Sequence, residues 1–135
     1  ATLVWAAKDN WFIHVKIKKN GGMQVTIEDA GKQVPIDTDT LRFYEKQGLL
    51  RLEYLDAAQA AKELQDIQDI DSLARIGVEL EELKRLKGLM NQGTGTVEEQ
   101  IRLLKRCRFQ MLDDIHVRQQ LLDRIDYMIH TRKQN

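Results

Sequence analysis

Residues 36–50, with the sequence IDTDTLRFYEKQGLL, decide the fold of this chain. They predict a short helix over residues 38–47, and both of its ends can be read from the sequence. Asp37 or Thr38 can accept hydrogen bonds from the free backbone N–H groups of the first turn. Gly48 can adopt the left-handed conformation that ends a helix, because it carries no Cβ. The stretch therefore predicts a helix with a defined start and stop.

The side chains of this predicted helix divide into two groups. Leu41 is expected to point into the protein, whereas Arg42, Tyr44 and Lys46 are expected to face solvent or a partner. A helix this short is not stable alone in water, so it must belong to a compact helical unit. Several DNA-binding domains present cationic and phenolic groups to phosphates and base edges from such a unit.

Another short helix is predicted just before this one, over residues 26–34. Thr26 and Asp29 have the spacing of a capping box at its start. Pro35 ends it, because proline disfavours helical geometry at the residue that precedes it. Two short helices joined by a tight bend are the plan of a helix-turn-helix unit.

The composition sets limits on the function. The chain has 135 residues, of which 42% are apolar, which fits one domain or a small domain with an oligomerising helix. Its 21 basic and 21 acidic residues cancel, and residues 23–55 hold four basic against six acidic side chains. Any affinity for DNA must therefore come from local placement of charge, or from doubling in a dimer.

The location of the protein is predicted from what the sequence lacks. Cys107 is the one cysteine, so no intrachain disulfide can form, and a reducing cytoplasm is expected. No apolar run approaches the roughly 20 residues that span a bilayer, and no signal-peptide pattern opens the chain. We therefore expect a cytoplasmic protein with no membrane partner.

Residues 1–22 differ in pattern from the rest of the chain. Apolar and polar residues alternate over 11–18, which predicts a strand, and residues 2–7 are a plausible partner strand. Residues 8–10 would form the turn between them. We predict an N-terminal β-hairpin or extension here. Whether it belongs to the domain that follows, or whether Met23 marks an original start, stays open.

A helical domain is predicted over residues 23–90. Beyond residue 50, an Ala-rich and acidic helix is expected over 57–75, followed by an interruption at Gly77 and a further helix from Val78. Residues 91–95 (NQGTG) have the composition of a linker.

The last segment, residues 96–135, predicts a long helix with one apolar stripe. Thr96 and Glu99 have the spacing of a capping box, and Arg108 and Arg118 fill the two polar places in the stripe. The apolar positions alternate by four and three residues, as in a coiled coil. They are Val97, Ile101, Leu104, Met111, Ile115, Leu122, Ile125 and Ile129. Two short helices cannot cover so long a stripe, so we expect a homodimer, parallel or antiparallel.

Residues 26–50 resemble the DNA-binding head of the MerR family of transcription regulators. That head begins with a TIGE-A-K pattern and continues with a T-LR-(Y/F)-Y-E-x-x-GL(L/I) helix. The resemblance resumes at residues 77–83 (GVELEEL) and covers about 110 of the 135 residues. The matching residues in the first segment are Thr26, Ile27, Lys32, Thr40, Leu41, Arg42, Phe43, Tyr44, Glu45, Gly48, Leu49 and Leu50.

The resemblance implies a mainly α protein with a winged helix-turn-helix head and an antiparallel coiled-coil dimer. It also implies a pseudo-palindromic promoter as the partner, distorted so that RNA polymerase can use it. Arg42 and Tyr44 would contact the DNA, Thr40 and Lys46 would lie near its backbone, and Arg51 completes the candidate set.

Two departures from the family pattern support a rival hypothesis. Residues 54–59 (YLDAAQ) stand where relatives carry a wing with an arginine, and the helix after it is acidic at Glu63, Asp66, Asp69 and Asp71. The rival is a protein-interaction module that keeps the scaffold but does not bind DNA.

No constellation in the sequence predicts an enzyme, a metal site or a cofactor. The chain has no Gly-rich phosphate loop, no HExxH motif and no nucleophile elbow. Cys107 has no second cysteine, and one thiolate does not make a metal site, so a structural role is favoured. His14, His116 and His130 form no recognisable pair.

Overall fold

A computed structural model describes residues 25–53 and 55–134. These residues form α1 (Ile27–Gly31), α2 (Thr38–Lys46), α3 (Ala57–Arg75), α4 (Leu80–Asn91) and α5 (Val97–Lys133). A short 3₁₀ helix, Gly93–Thr96, precedes α5. The prediction of a mainly α protein with a long last helix is confirmed, whereas the hairpin predicted for residues 1–22 lies outside the described residues.

The helix ends of the helix-turn-helix unit follow the sequence closely. The hydroxyl of Thr26 accepts the backbone N–H of Asp29, whose carboxylate accepts the N–H of Thr26, so the predicted capping box is confirmed. Asp37 caps α2 through a 2.8 Å hydrogen bond from the backbone N–H of Thr40. Gly48 has the left-handed φ of 79° that the sequence required. Local chemistry therefore fixes where these helices begin and where α2 ends.

The first helix is shorter than predicted, ending at Gly31 rather than at residue 34. Residues 32–36 form a turn that brings α2 across α1, and Pro35 ends the helical geometry before it. A Cβ at Gly31 would lie 3.1 Å from Cγ2 of Thr38, so the two helices approach closely because this residue is glycine.

Residues between α2 and α3 differ from the winged head that the resemblance implied. The backbone N–H of Val25 donates to the carbonyl of Leu52 at 3.4 Å, and Leu55 forms a single bridge. Over residues 47–53 and 55–56 no strand longer than that bridge is present. The expectation of a wing is therefore not met in this segment, because too few residues separate the two helices.

One apolar core holds the first four helices together. Leu41 is fully buried, as predicted, and lies among side chains from every helix of the head. Complete burial of a leucine or isoleucine side chain stabilises a fold by roughly 1.5–3 kcal/mol. The largest fully buried side chains are Leu41, Leu49, Leu64, Ile67, Ile70, Leu86 and Leu103.

A buried ion-pair network joins α3 to α4. Nζ of Lys87, whose side chain is 4% exposed, lies 2.9 Å from Oε2 of Glu63 and 3.0 Å from Oδ2 of Asp66. Lys62 adds a second ammonium at 2.6 Å from the same Asp66 oxygen. Two of the four acidic residues that gave α3 its acidic sequence, Asp66 and Asp71, are thus buried and paired.

The start of α5 packs on the head, and the rest of the helix extends beyond it. Leu103 is buried and Cys107 packs against the core, where burial raises the pKa of its thiol. The capping box predicted for Thr96 is wrong, because its hydroxyl donates instead to the carbonyls of Leu89 and Gly93. Those bonds tie the start of α5 to the end of α4.

Candidate nucleic-acid interface

The outward face of α2 is the candidate interface. The capped start at Asp37 and the stop at Gly48 set its length, and the buried Leu41 sets which side faces out. Four residues of the helix, Asp39, Arg42, Phe43 and Lys46, are exposed, and Phe43 keeps 47% of its surface in solvent. The hydrogen bond from Thr40 lowers the pKa of Asp37, which keeps this capping carboxylate ionised.

Arg42 is exposed, as predicted, but it is not free. Its Nη2 lies 2.6 Å from Oε1 of Glu28, a residue of α1, and its Nη1 lies 3.5 Å from Oδ1 of Asp39. The two carboxylates hold the guanidinium at the junction of the two helices. The sequence gave no signal for Glu28 as a partner, since 14 residues separate it from Arg42 and the contact depends on how α1 crosses α2.

Tyr44 was expected to face solvent, and this expectation is wrong. The residue is only 4% exposed, and its hydroxyl donates a 2.6 Å hydrogen bond to Oδ1 of Asp71 on α3. The other oxygen of Asp71 lies 2.8 Å from Nε of Arg75, whose Nη2 donates to the carbonyl of Pro35. Tyr44 therefore fixes the orientation of α2 on α3, because it shares the inward face of α2 with Leu41, three residues earlier.

Replacing Tyr44 with phenylalanine is expected to lower the free energy of unfolding by about 1.5–3 kcal/mol, the range for a hydrogen bond to a charged group. Burial, then the hydrogen bond to Asp71, raises the pKa of this phenol well above its usual value. The unfolded chain therefore loses the proton first, so the stabilisation is complete below about pH 10 and is lost as the pH rises above it. In urea titrations, the difference between wild type and Tyr44→Phe should be constant from pH 7 to 9 and should shrink above pH 10. A difference that grows above pH 10 would contradict this assignment.

The other candidate residues lie beside Arg42 or just beyond α2. Thr40 is partly exposed, while Lys46 and Arg51 are exposed and make no salt bridge within residues 25–53 and 55–134. Arg51 borders an open cavity of about 400 Å³ between the end of α2 and helices α3 and α4. Its lining residues are Gly48, Arg51, Leu55, Gln59, Lys62, Glu63, Lys87 and Asn91.

The stripe on α5 is the second candidate surface, and it is uncovered in the single chain. Its eight apolar positions are each 40–51% exposed. Three more exposed apolar residues, Leu112, Leu121 and Met128, flank the stripe and were not included in the prediction. A row of this length along about 55 Å of helix is far more apolar surface than a soluble helix normally leaves in water.

Other kinds of site were sought in the part of the chain that the structure describes. There, no group of three or more His, Cys, Asp or Glu side chains is placed to hold a metal ion. No described helix combines the length and apolar character that crossing a membrane requires.

Comparisons with known proteins identify two solved structures of similar fold. One, from Listeria monocytogenes, is assigned as a MerR family transcriptional regulator; it is 29% identical, with a TM-score of 0.65, over 78% of this chain and 83% of that one. The other is HiNmlR, a MerR family regulator lacking the sensor domain, in complex with promoter DNA; it is 26% identical, with a TM-score of 0.61, over 79% of this chain and 88% of that one. Neither is an enzyme. No family model and no curated protein sequence matches significantly.

Proposed function

Because this chain has the fold of MerR family regulators, we propose that it is a DNA-binding transcription regulator. It acts as a homodimer on a pseudo-palindromic promoter. The observation that carries this proposal is the match to HiNmlR, which binds promoter DNA without a sensor domain and aligns over 79% of this chain. The match includes both surfaces that such a function needs, the helix-turn-helix head and a long helix.

In this proposal α2 is the helix that enters the major groove. Arg42 and Lys46 are its exposed cations, Thr40 offers a hydroxyl near its start, and Arg51 lies just beyond its end. The exposed ring of Phe43 supplies apolar surface of the kind that contacts a thymine methyl group. Tyr44, being buried, supports the helix from behind and is not part of the contact set.

The homodimer is proposed from the pattern of the α5 stripe. An antiparallel pair that is symmetric about residue 113 places every apolar stripe position opposite another apolar one. In this register Val97 faces the partner's Ile129, and Met111 faces the partner's Ile115. Ile101 and Leu104 in turn face the partner's Ile125 and the partner's Leu122. The two polar places coincide as well, since Arg108 faces the partner's Arg118.

The flanking residues favour the antiparallel arrangement over the parallel one. In antiparallel coiled coils like flanks meet, so Leu112 lies beside the partner's Leu112, and Cys107 beside the partner's Leu121. A parallel pair would instead place Leu121 next to the partner's Asp126. Apolar residues meet apolar residues only in the first case. The antiparallel pair therefore buries more of the surface that is exposed in the single chain.

Such a dimer explains how the protein would act on DNA. A rigid pair of long helices holds the two recognition helices at a fixed separation, and dimers of helix-turn-helix heads read half-sites about one helical turn apart, or multiples of that. A promoter whose half-sites do not match this separation must bend or untwist in order to bind. We propose that this deformation is what makes the promoter usable by RNA polymerase, which is then an indirect partner.

The proposal is tested by selecting bound duplexes from a random pool and then titrating the selected operator at several salt concentrations. Arg42→Ala should lower the affinity for the operator at least about tenfold, because a lost base or phosphate contact costs roughly 1–3 kcal/mol. It should also reduce the slope of log K against log salt by about one per lost phosphate contact. Arg85→Ala, which removes an exposed arginine of α4, is the matched control and should change neither quantity by more than about twofold.

The outcome of the selection decides between the regulator and its rival. Enrichment of a palindromic sequence, with a salt-dependent affinity that Arg42→Ala weakens, supports the regulator. A pool that gains no sequence, or an affinity that does not respond to salt, would contradict the regulator and point to the protein-interaction module.

A further inference from the structure

The ion pair between Arg42 and Glu28 crosses the two helices of the helix-turn-helix unit. Glu28 lies in the first turn of α1, and its carboxylate is 2.6 Å from the guanidinium. Both side chains remain more than half exposed, at 52% for Arg42 and 62% for Glu28, so the pair is presented to whatever binds α2. Asp39 adds a second carboxylate on the other nitrogen of the same guanidinium.

This pair changes what Arg42 can bind. A phosphate that approached the guanidinium would also approach Glu28 and Asp39, and like charges a few ångströms apart repel strongly. Base edges in the major groove are neutral, so they meet no comparable repulsion. A carboxylate can itself accept a hydrogen bond from the amino group of cytosine. The pair therefore disfavours contact with the backbone and tolerates contact with bases.

We propose that Glu28 is a specificity-determining residue, which suppresses binding of Arg42 to phosphates of unrelated DNA and leaves the pair available to base edges. This inference rests on the proposed function, because it assumes that α2 contacts DNA. It assigns to an acidic residue of α1, a helix that need not enter the groove, a part in the discrimination between operator and other sequences.

The test compares Glu28→Gln with wild type on two duplexes, the selected operator and a mixed-sequence duplex of equal length. The variant should bind the mixed duplex about three to ten times more tightly, with a salt slope that is steeper by about one, since one further phosphate contact becomes available. Its affinity for the operator should rise less, so the ratio of the two affinities should fall. A purely structural role for Glu28 would not steepen the salt dependence.

The matched control is Glu45→Gln, which removes the same charge from an exposed position on α2. Glu45 makes no salt bridge within the described residues 25–53 and 55–134, so its loss reports only the general reduction of negative charge. Glu28→Ser, which keeps a residue suited to a helix start, is a second variant with the same expected direction. Far-UV circular dichroism verifies that each variant is folded.

The results separate this inference from the proposed function. Equal gains for Glu28→Gln and Glu45→Gln on the mixed duplex, while wild type binds its operator, would overturn the inference alone. Failure of wild type and of every variant to bind any duplex would overturn both. Tighter binding of the mixed duplex by both Glu28 variants, beyond that of Glu45→Gln, supports the role of Glu28.

Discussion

Ile115→Asp should convert the protein from a dimer to a monomer, with a dissociation constant at least about a thousandfold higher. In the proposed register Ile115 faces the partner's Met111, and symmetry repeats this layer on the other side of residue 113. The substitution removes two buried isoleucines, each contributing roughly 1.5–3 kcal/mol, and places two carboxylates in the apolar seam. Sedimentation equilibrium over a range of concentrations measures the change.

The head should survive this substitution. Ile115 is 50% exposed in the single chain and lies beyond Leu103 and Cys107, where α5 contacts the core. Gln120→Asp is the matched control, because it adds the same charge to an exposed position that the seam does not include. It should remain dimeric. A wild-type protein that stays monomeric at tens of micromolar would contradict the dimer outright.

The orientation of the two helices can be read from Arg108→Glu in the same measurement. In the antiparallel register this change places a glutamate opposite the partner's Arg118 twice per dimer, which should tighten the dimer. In a parallel pair it would instead place two glutamates opposite each other and leave the two copies of Arg118 in contact, which should weaken it. A tighter dimer supports the antiparallel register, and a weaker one supports the parallel arrangement.

The sequence predicted the parts of the head that local chemistry determines. Thr26 with Asp29, Asp37 and Gly48 each act within a few residues along the chain, and the structure confirms all of them. The long last helix and the MerR-like fold are confirmed for a similar reason, since an extended pattern of spacing carries them. Local signals of this kind do not depend on how distant segments pack.

The sequence misled where a partner lies far along the chain. Tyr44 was expected to face solvent because it matches a motif associated with DNA contact, yet Leu41 three residues earlier already placed it on the inward face of α2. Its partner Asp71 is 27 residues away, and no spacing rule connects them. The acidic character of α3 was read as a surface property, although Asp66 lies 3.0 Å from the buried Lys87 on the next helix.

Lys87→Met should lower the free energy of unfolding by about 3–5 kcal/mol, the range for breaking a buried ion pair by removing one partner. The lysine side chain is 4% exposed, and its two acceptors Glu63 and Asp66 are 14% and 12% exposed. Methionine fills a similar volume, so the loss would come from two carboxylates left facing each other with little water between them. Urea titrations at one protein concentration measure it, since dimerisation links stability to concentration.

A control on the same helix separates the network from the loss of a lysine in general. Lys84→Met removes an ammonium whose side chain is 39% exposed and which lies 3.9 Å from Glu81, so its effect should stay within about 0.5 kcal/mol. Adding Glu63→Gln and Asp66→Asn to Lys87→Met should recover more than half of the lost stability, because the uncompensated charges are then gone. If Lys87→Met unfolds at the same urea concentration as wild type, the network does not join α3 to α4. The orientation of α2, which Tyr44 anchors on α3, would then depend on the apolar core alone.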